Sequence, residues 1–185
     1  LCLVASLLSK EAGIAVAAYV FAYVVFVERG PWERRLLSLA PCGVIIVVWR
    51  IVYRLLNHGI QGAELYNDPL MAPLAFLRAL FLRGPVLFLG QWAGPPSEIH
   101  VLLPFTGQLA MTAGGVAVFL VVAWLVWPCL KCDAIARFWA LGMLLSFIPI
   151  CATFPGDRLL LFTGIGAFGL MARYSAWAFS ESPVQ

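Results

Sequence analysis

The sequence predicts an all-α protein: a polytopic transmembrane helix bundle of about five to six spans, with one further segment lying at the interface or re-entering. Three observations lead there. Of 185 residues, 63% are hydrophobic and only 11% charged, against roughly 45–50% and about 25% in soluble domains. A soluble domain of about 150 residues still leaves nearly a third of its surface in water, so a soluble enzyme, a disordered tail and a disulfide-built secreted module are all excluded. Second, the apolar residues fall into stretches of near-membrane length divided by polar punctuation, and a spanning helix needs about 20 of them at 1.5 Å each. Third, Trp32, Trp49, Trp92, Trp127 and Trp177 fall near stretch ends, where interfacial aromatic belts sit.

The stretches follow in order. Residues 1–8 open the chain inside an apolar run, and no basic residue precedes Lys10, so there is no signal-peptide pattern. The chain therefore reads as a single transmembrane domain over residues 1–185, the C-terminal part of a longer membrane protein. Residues 12–27 and 36–56 come next. Residues 74–92 are interrupted by Arg78, Arg83 and Pro85, whereas residues 109–127 carry no charge. Residues 138–154 end at a tight Pro155-Gly156-Asp157-Arg158 turn, and residues 159–179 form the last stretch. There is no internal repeat, low-complexity segment or linker.

Basic loops orient such a chain. The linker Glu28-Arg29-Gly30-Pro31-Trp32-Glu33-Arg34-Arg35 and the connection 131–137 are basic and are placed in the cytoplasm. The loop 58–73 holds Glu64 and Asp68 and no lysine or arginine, and is placed outside. An odd number of crossings must separate that loop from the connection 131–137. Residues 109–127 supply one, so residues 74–92 are expected at the outer interface, as an amphipathic or re-entrant segment.

Ionisable groups at membrane depth need a partner or a purpose. Arg50 and Arg54, four apart, share a helix face near its outer end. They fit either snorkelling to the headgroups or a two-guanidinium clamp for a phosphate. Lys10-Glu11 and Asp157-Arg158 are either junction markers or phosphate-facing groups. Under this topology Lys10, Arg50, Arg54 and Arg158 all gather on the outer side, as a candidate lipid-phosphate site with Glu11 and Asp157 in support. Cys129-Leu130-Lys131-Cys132 has half the spacing of a zinc site but no second pair, so no metal is expected. Cys2, Cys42, Cys129, Cys132 and Cys151 read as buried thiols packing as small hydrophobes. His58, His100 and Asp68 read as solvated loop residues. A net charge of +3 is too small to suggest nucleic acid, and no Ser/His/Asp set or glycine-rich phosphate loop is present.

The motif Leu8-Ser9-Lys10-Glu11-Ala12-Gly13 between two apolar runs resembles the "LSKE-G" signature of membrane glycosyltransferases of the GT-C fold. The similarity is to the transmembrane-and-tetratricopeptide mannosyltransferases and the bacterial lipid A aminoarabinose transferase group. Asp157-Arg158-Leu159-Leu160-Leu161-Phe162-Thr163-Gly164-Ile165-Gly166 resembles the former's later "ER-LYLPSIG" segment, with Asp157 in place of its Glu and Phe162-Thr163 in place of its Leu-Pro. Trp49-Arg50 and Tyr53-Arg54 fit the same layout. The resemblance implies a multi-pass protein of the bacterial inner membrane that binds a polyprenyl-phosphate-linked sugar donor on the extracytoplasmic side. Lys10 would contact the lipid phosphate and Arg158 would neighbour the same cavity. The essential carboxylate would lie upstream of this chain, as would the partners of any divalent metal; no cofactor is expected within it. The alternatives are a transporter or flippase segment for an anionic lipid-linked substrate, and a non-catalytic membrane scaffold.

Overall fold

In a computed structural model, which describes residues 2–56, 67, 69, 71–92 and 94–179, the chain is helical with no strand among the described residues. Helix α1 (Cys2–Ser9) leads through Lys10 into a 3-10 turn, Glu11–Ile14, and then α2 (Ala15–Phe26). A short α3 (Trp32–Leu37) precedes α4 (Ala40–Leu55), and α5 (Pro73–Trp92) precedes a four-residue α6 (Ile99–Leu102). Helix α7 (Phe105–Cys132) is followed at once by α8 (Ala134–Cys151), a 3-10 turn at Asp157–Leu159, and α9 (Leu161–Phe179).

Four segments are long and apolar enough to cross a membrane, fewer than the five to six expected: Trp32–Leu55, Pro73–Trp92, Phe105–Cys132 and Ala134–Cys151. The shortfall has local causes. The second apolar stretch is cut off at its start by the extended Lys10, so Glu11–Phe26, the 3-10 turn included, stays below spanning length. In α9, Gly164, Gly166, Gly169, Arg173 and Ser175 dilute the apolar content. Its Arg173 pairs at 2.6 Å with Asp133, which also caps α8 by accepting from the Ile135 amide at 2.8 Å. A buried or half-buried charge in a helix of this kind persists because a partner meets it.

Side-chain neighbours fix the helix directions. Tyr19 packs edge-on to Phe138 and against Gly142, while Tyr23 meets Phe138, so α2 and α8 run antiparallel. Helices α8 and α9 do the same through Trp139 with Gly169, Met143 with Gly166 and the buried Ser146–Thr163 hydrogen bond at 3.0 Å. Glycine is required at these crossings. A Cβ at Gly142 would lie 2.4 Å from the Tyr19 ring, and one at Gly169 would lie 2.4 Å from the indole of Trp139. Small residues bring helix backbones close enough for dispersion to hold them together where no hydrophobic driving force acts. The core lies between α5, α7, α8 and α9, around Leu87, Phe88, Cys129, Met143, Phe147 and Leu170.

Residues 74–92, expected as an amphipathic or re-entrant segment at the outer interface, belong to one unbroken helix that is long and apolar enough to cross a membrane, and in which Pro85 leaves one carbonyl without its intrahelical donor. Arg83 is accommodated because its guanidinium donates to the carbonyls of Cys151 (3.3 Å) and Thr153 (2.8 Å) at the end of α8. Helix α5 runs antiparallel to α8, Gly84 opposite Cys151 and Phe88 opposite Phe147. It runs parallel to α7: Thr112 reaches the Leu82 carbonyl, Gly115 abuts Pro85 and Phe119 packs on Phe88. Two parallel helices joined in sequence require the chain between them to travel back. Ser97 sits against Gly90, and His100 lies within electrostatic range of Arg83, so residues 94–104 return along α5. Helix α5 ends at Trp92, four residues past Phe88, about 6 Å further along and still only part-way down α8.

Candidate functional site

The sequence motif that begins the site folds into a tight reversal. Lys10 is extended (φ −163°, ψ 147°) and ends α1, its amide donating to the Ser6 carbonyl at 3.1 Å. The Gly13 amide then donates to the Lys10 carbonyl at 2.9 Å. A Cβ on Gly13 would lie 2.4 Å from the Ser6 carbonyl oxygen, so only glycine lets the 3-10 turn tuck against α1. The reversal leaves the Lys10 and Glu11 side chains exposed at one end of the bundle.

Helix α4 brings the second set. Trp49, Arg50 and Tyr53 recur at three- and four-residue spacing, so they share a helix face. The Trp49 and Tyr53 rings are 5.1 Å apart, and the Tyr53 hydroxyl donates to a Glu11 carboxylate oxygen. That bond joins α4 to the 3-10 turn. In α3, which precedes the opposite end of α4, the Arg35 guanidinium donates to the carbonyls of Val24 and Val25. Those carbonyls belong to the last turn of α2, where unsatisfied acceptors collect and a cation is favoured.

Between α4 and the α2–α8 pair lies a cavity of about 1050 Å³. Its polar lining includes Ser9, Lys10, Glu11, Arg50, Tyr53 and Thr153, while Leu7, Ile14, Ala18, Val52, Leu145 and Ile148 supply apolar wall. The start of α5 (Phe76) and the turn after α8 (Ala152, Leu159) add to its wall. The cavity is amphipathic: cations and hydroxyls lie beside a wall chemically like lipid tails.

Of the six expected site residues, Lys10, Glu11 and Arg50 line this one cavity. Arg54 does not; it is exposed on the next turn, its guanidinium 3.7 Å from the Met71 sulfur. Arg158 is exposed on the 3-10 turn beside the lining residue Leu159 and is not itself part of the lining. Asp157 turns the other way. It accepts from the Ser97 amide at 3.0 Å, and its own amide donates to Glu98 at 2.9 Å. Those reciprocal bonds fasten the return segment 94–104 to the turn after α8. His58, Glu64 and Asp68 lie outside the described residues.

Sequence reasoning left His100 as a solvated loop residue, but it lies in α6 and is half-buried. Burial, and secondarily the Arg83 charge, lowers its pKa from the ordinary histidine value. The Tyr53–Glu11 tie also went unforeseen; the signal for it was the common helix face of Trp49, Arg50 and Tyr53. Cys129 is buried and Cys132 exposed, and no group of three metal-ligating side chains occurs among the described residues. No family model, no curated protein and no solved structure matches this chain.

Proposed function

We propose that this chain is the membrane-embedded, lipid-phosphate-binding part of a glycosyltransferase that uses a polyprenyl-phosphate-linked sugar as donor. The observation that carries the reading is the meeting of Lys10 and Arg50 in one cavity with an apolar wall. A lysine supplies a compact point charge and an arginine a planar fork, both suited to phosphate oxygens. Cations held beside the cavity's apolar wall stabilise the charge that grows on a departing lipid phosphate as the sugar leaves. The apolar residues Leu7, Ile14, Val52 and Ile148 would lie along the isoprenoid chain. The paired rings of Trp49 and Tyr53 offer a surface against which a sugar can stack.

The topology that suits this function puts the Lys10 end outside and the basic ends around Arg29, Lys131 and Arg137 in the cytoplasm. Helix α5 then enters from outside and its chain returns to the same side, a re-entrant hairpin rather than a crossing. The parallel course of α5 and α7 supports that arrangement, because a full crossing by α5 would require residues 94–104, with Pro95 and Pro96, to cross back. Non-helical backbone at membrane depth is tolerated where protein buries it, and Ser97 is fully buried here.

A carrier for the same lipid would open its site alternately to both faces, with broken helices near the midplane; the cavity cations lie at one end of the bundle, which favours binding and transfer over transport. The test is sugar transfer from a labelled polyprenyl-phosphate sugar by the full protein in vesicles. Transfer that is lost in Arg50→Ala, with membrane insertion intact, supports the reading. Movement of the lipid between leaflets without transfer overturns it in favour of a carrier.

A further inference from the structure

We infer that Glu11 makes the cavity selective for a singly charged phosphodiester over the doubly charged phosphomonoester of the same lipid. This inference rests on the lipid-phosphate reading of the site. Among the described lining residues, the charged groups are Lys10, Arg50 and one carboxylate, Glu11. A site built only to grip phosphate has no use for a carboxylate beside its lysine. Here the carboxylate is held by design of the fold: the 3-10 turn fixes its backbone, and the Tyr53 hydroxyl, arriving from α4, donates to it. Its charge therefore stays at the cavity and opposes each negative charge that a ligand brings.

The consequence follows from the charges of the two lipids. A polyprenyl-phosphate sugar is a phosphodiester with one negative charge. In transfer, the bond between the sugar's anomeric carbon and the phosphate oxygen breaks, and its electron pair stays on that oxygen. A bond forms from the anomeric carbon to the acceptor hydroxyl oxygen, whose proton leaves to water. The lipid is left as a monoester, which carries up to one further negative charge near neutral pH. Two cations and a carboxylate suit the first species better than the second. Glu11 thus favours donor over spent carrier and assists release of the latter. Tyr53 acts as a positioning residue through Glu11.

The experiment measures equilibrium binding of two probes, undecaprenyl phosphate and an undecaprenyl-phosphate monosaccharide, to the purified protein in phosphatidylcholine nanodiscs. The wild type is expected to prefer the diester. Glu11→Gln keeps the hydrogen-bonding shape and removes the charge. It should tighten the monoester about tenfold more than the diester, the size expected for one charge–charge interaction at intermediate dielectric. Tyr53→Phe, which frees the carboxylate, should shift the ratio in the same direction by less. An unchanged ratio in Glu11→Gln overturns the selectivity, whether or not both lipids still bind. If Lys10→Ala binds both probes as the wild type does, the phosphate site itself fails, and the two failures are thereby separate. Should Glu11→Gln fold poorly, judged by gel filtration, the pH dependence of the wild-type ratio decides. Protonation of the monoester below about pH 6 should bring the two affinities together, and a ratio flat across that range overturns the inference.

Discussion

Replacing Lys10 with alanine removes one of the two cations in the cavity lining and leaves the backbone reversal intact, because that reversal depends on Ser6 and Gly13 rather than on the lysine side chain. A hydrogen bond to a charged group contributes about 1.5–3 kcal/mol. Since 1.4 kcal/mol is about tenfold in affinity, Lys10→Ala should weaken binding of a polyprenyl phosphate by about 10- to 150-fold. Lys10→Arg should recover most of it, since a cation of similar reach returns. Arg158→Ala, at an exposed position outside the lining, should change binding by less than about threefold, in line with the small worth of solvent-exposed charge pairs. The assay is fluorescence anisotropy or microscale thermophoresis with a labelled lipid in nanodiscs, with gel filtration to confirm folding. Equal losses for Lys10→Ala and Arg158→Ala would refute the assignment of the site to this cavity. So would no loss in Lys10→Ala.

Other consequences concern the scaffold. Gly115→Val should destabilise the protein by at least about 2 kcal/mol, because a Cβ there meets the Pro85 carbonyl oxygen at 2.1 Å and backbone cannot yield as a side chain does. Gly43→Ala, on α4 with open space around it, should be neutral or stabilising by up to about 1 kcal/mol; thermal unfolding in detergent reads both. Arg83→Met should cost about 1–3 kcal/mol by leaving the Cys151 and Thr153 carbonyls without their donor, seen as a lowered unfolding temperature and faster amide exchange around residues 149–153. For His100, burial holds the folded-state pKa below the ordinary 6.5. Between those two values the unfolded chain binds more protons, so stability rises with pH and is lost on acidification through that window. Amide exchange of residues 94–104, corrected for intrinsic rates, should therefore quicken as the pH falls from neutral through 6.5 and below, and His100→Gln should abolish the difference.

What the sequence made legible, and what it did not, follows from the range of the physics involved. The all-α architecture was readable because bilayer thickness imposes a length on apolar runs: the stretch 109–127 stands inside α7, and 138–154 coincides with α8 as far as Cys151. The reversal at Lys10 was readable from two adjacent charges between apolar runs. The number of long spans was overestimated because the reversal at Lys10 holds Glu11–Phe26 below spanning length and the glycines and Arg173 of α9 dilute its apolar content. Arg83 and Pro85 mark residues 74–92 as amphipathic or re-entrant, but not as helical throughout: Arg83 finds carbonyls contributed by the end of α8, a contact 68 to 70 positions distant that no local pattern encodes. The same limit applies to the site. Lys10, Glu11 and Arg50 were picked out as charges placed at one end of the bundle. Whether each turns toward the cavity, as Arg50 does, or away from it, as Asp157 does, depends on tertiary bonds such as those to Ser97 and Glu98.

The measurement that bears most directly on this account is the distance from the phosphorus of bound undecaprenyl phosphate to labelled nitrogens of the protein, by solid-state NMR dipolar recoupling in lipid bilayers. Strong dephasing of the Lys10 Nζ and the Arg50 guanidinium by the same phosphorus, at direct hydrogen-bonding distance, is the predicted result. Phosphorus that dephases neither nitrogen, or that reports only on the arginines near the opposite end such as Arg29 and Arg137, would contradict it.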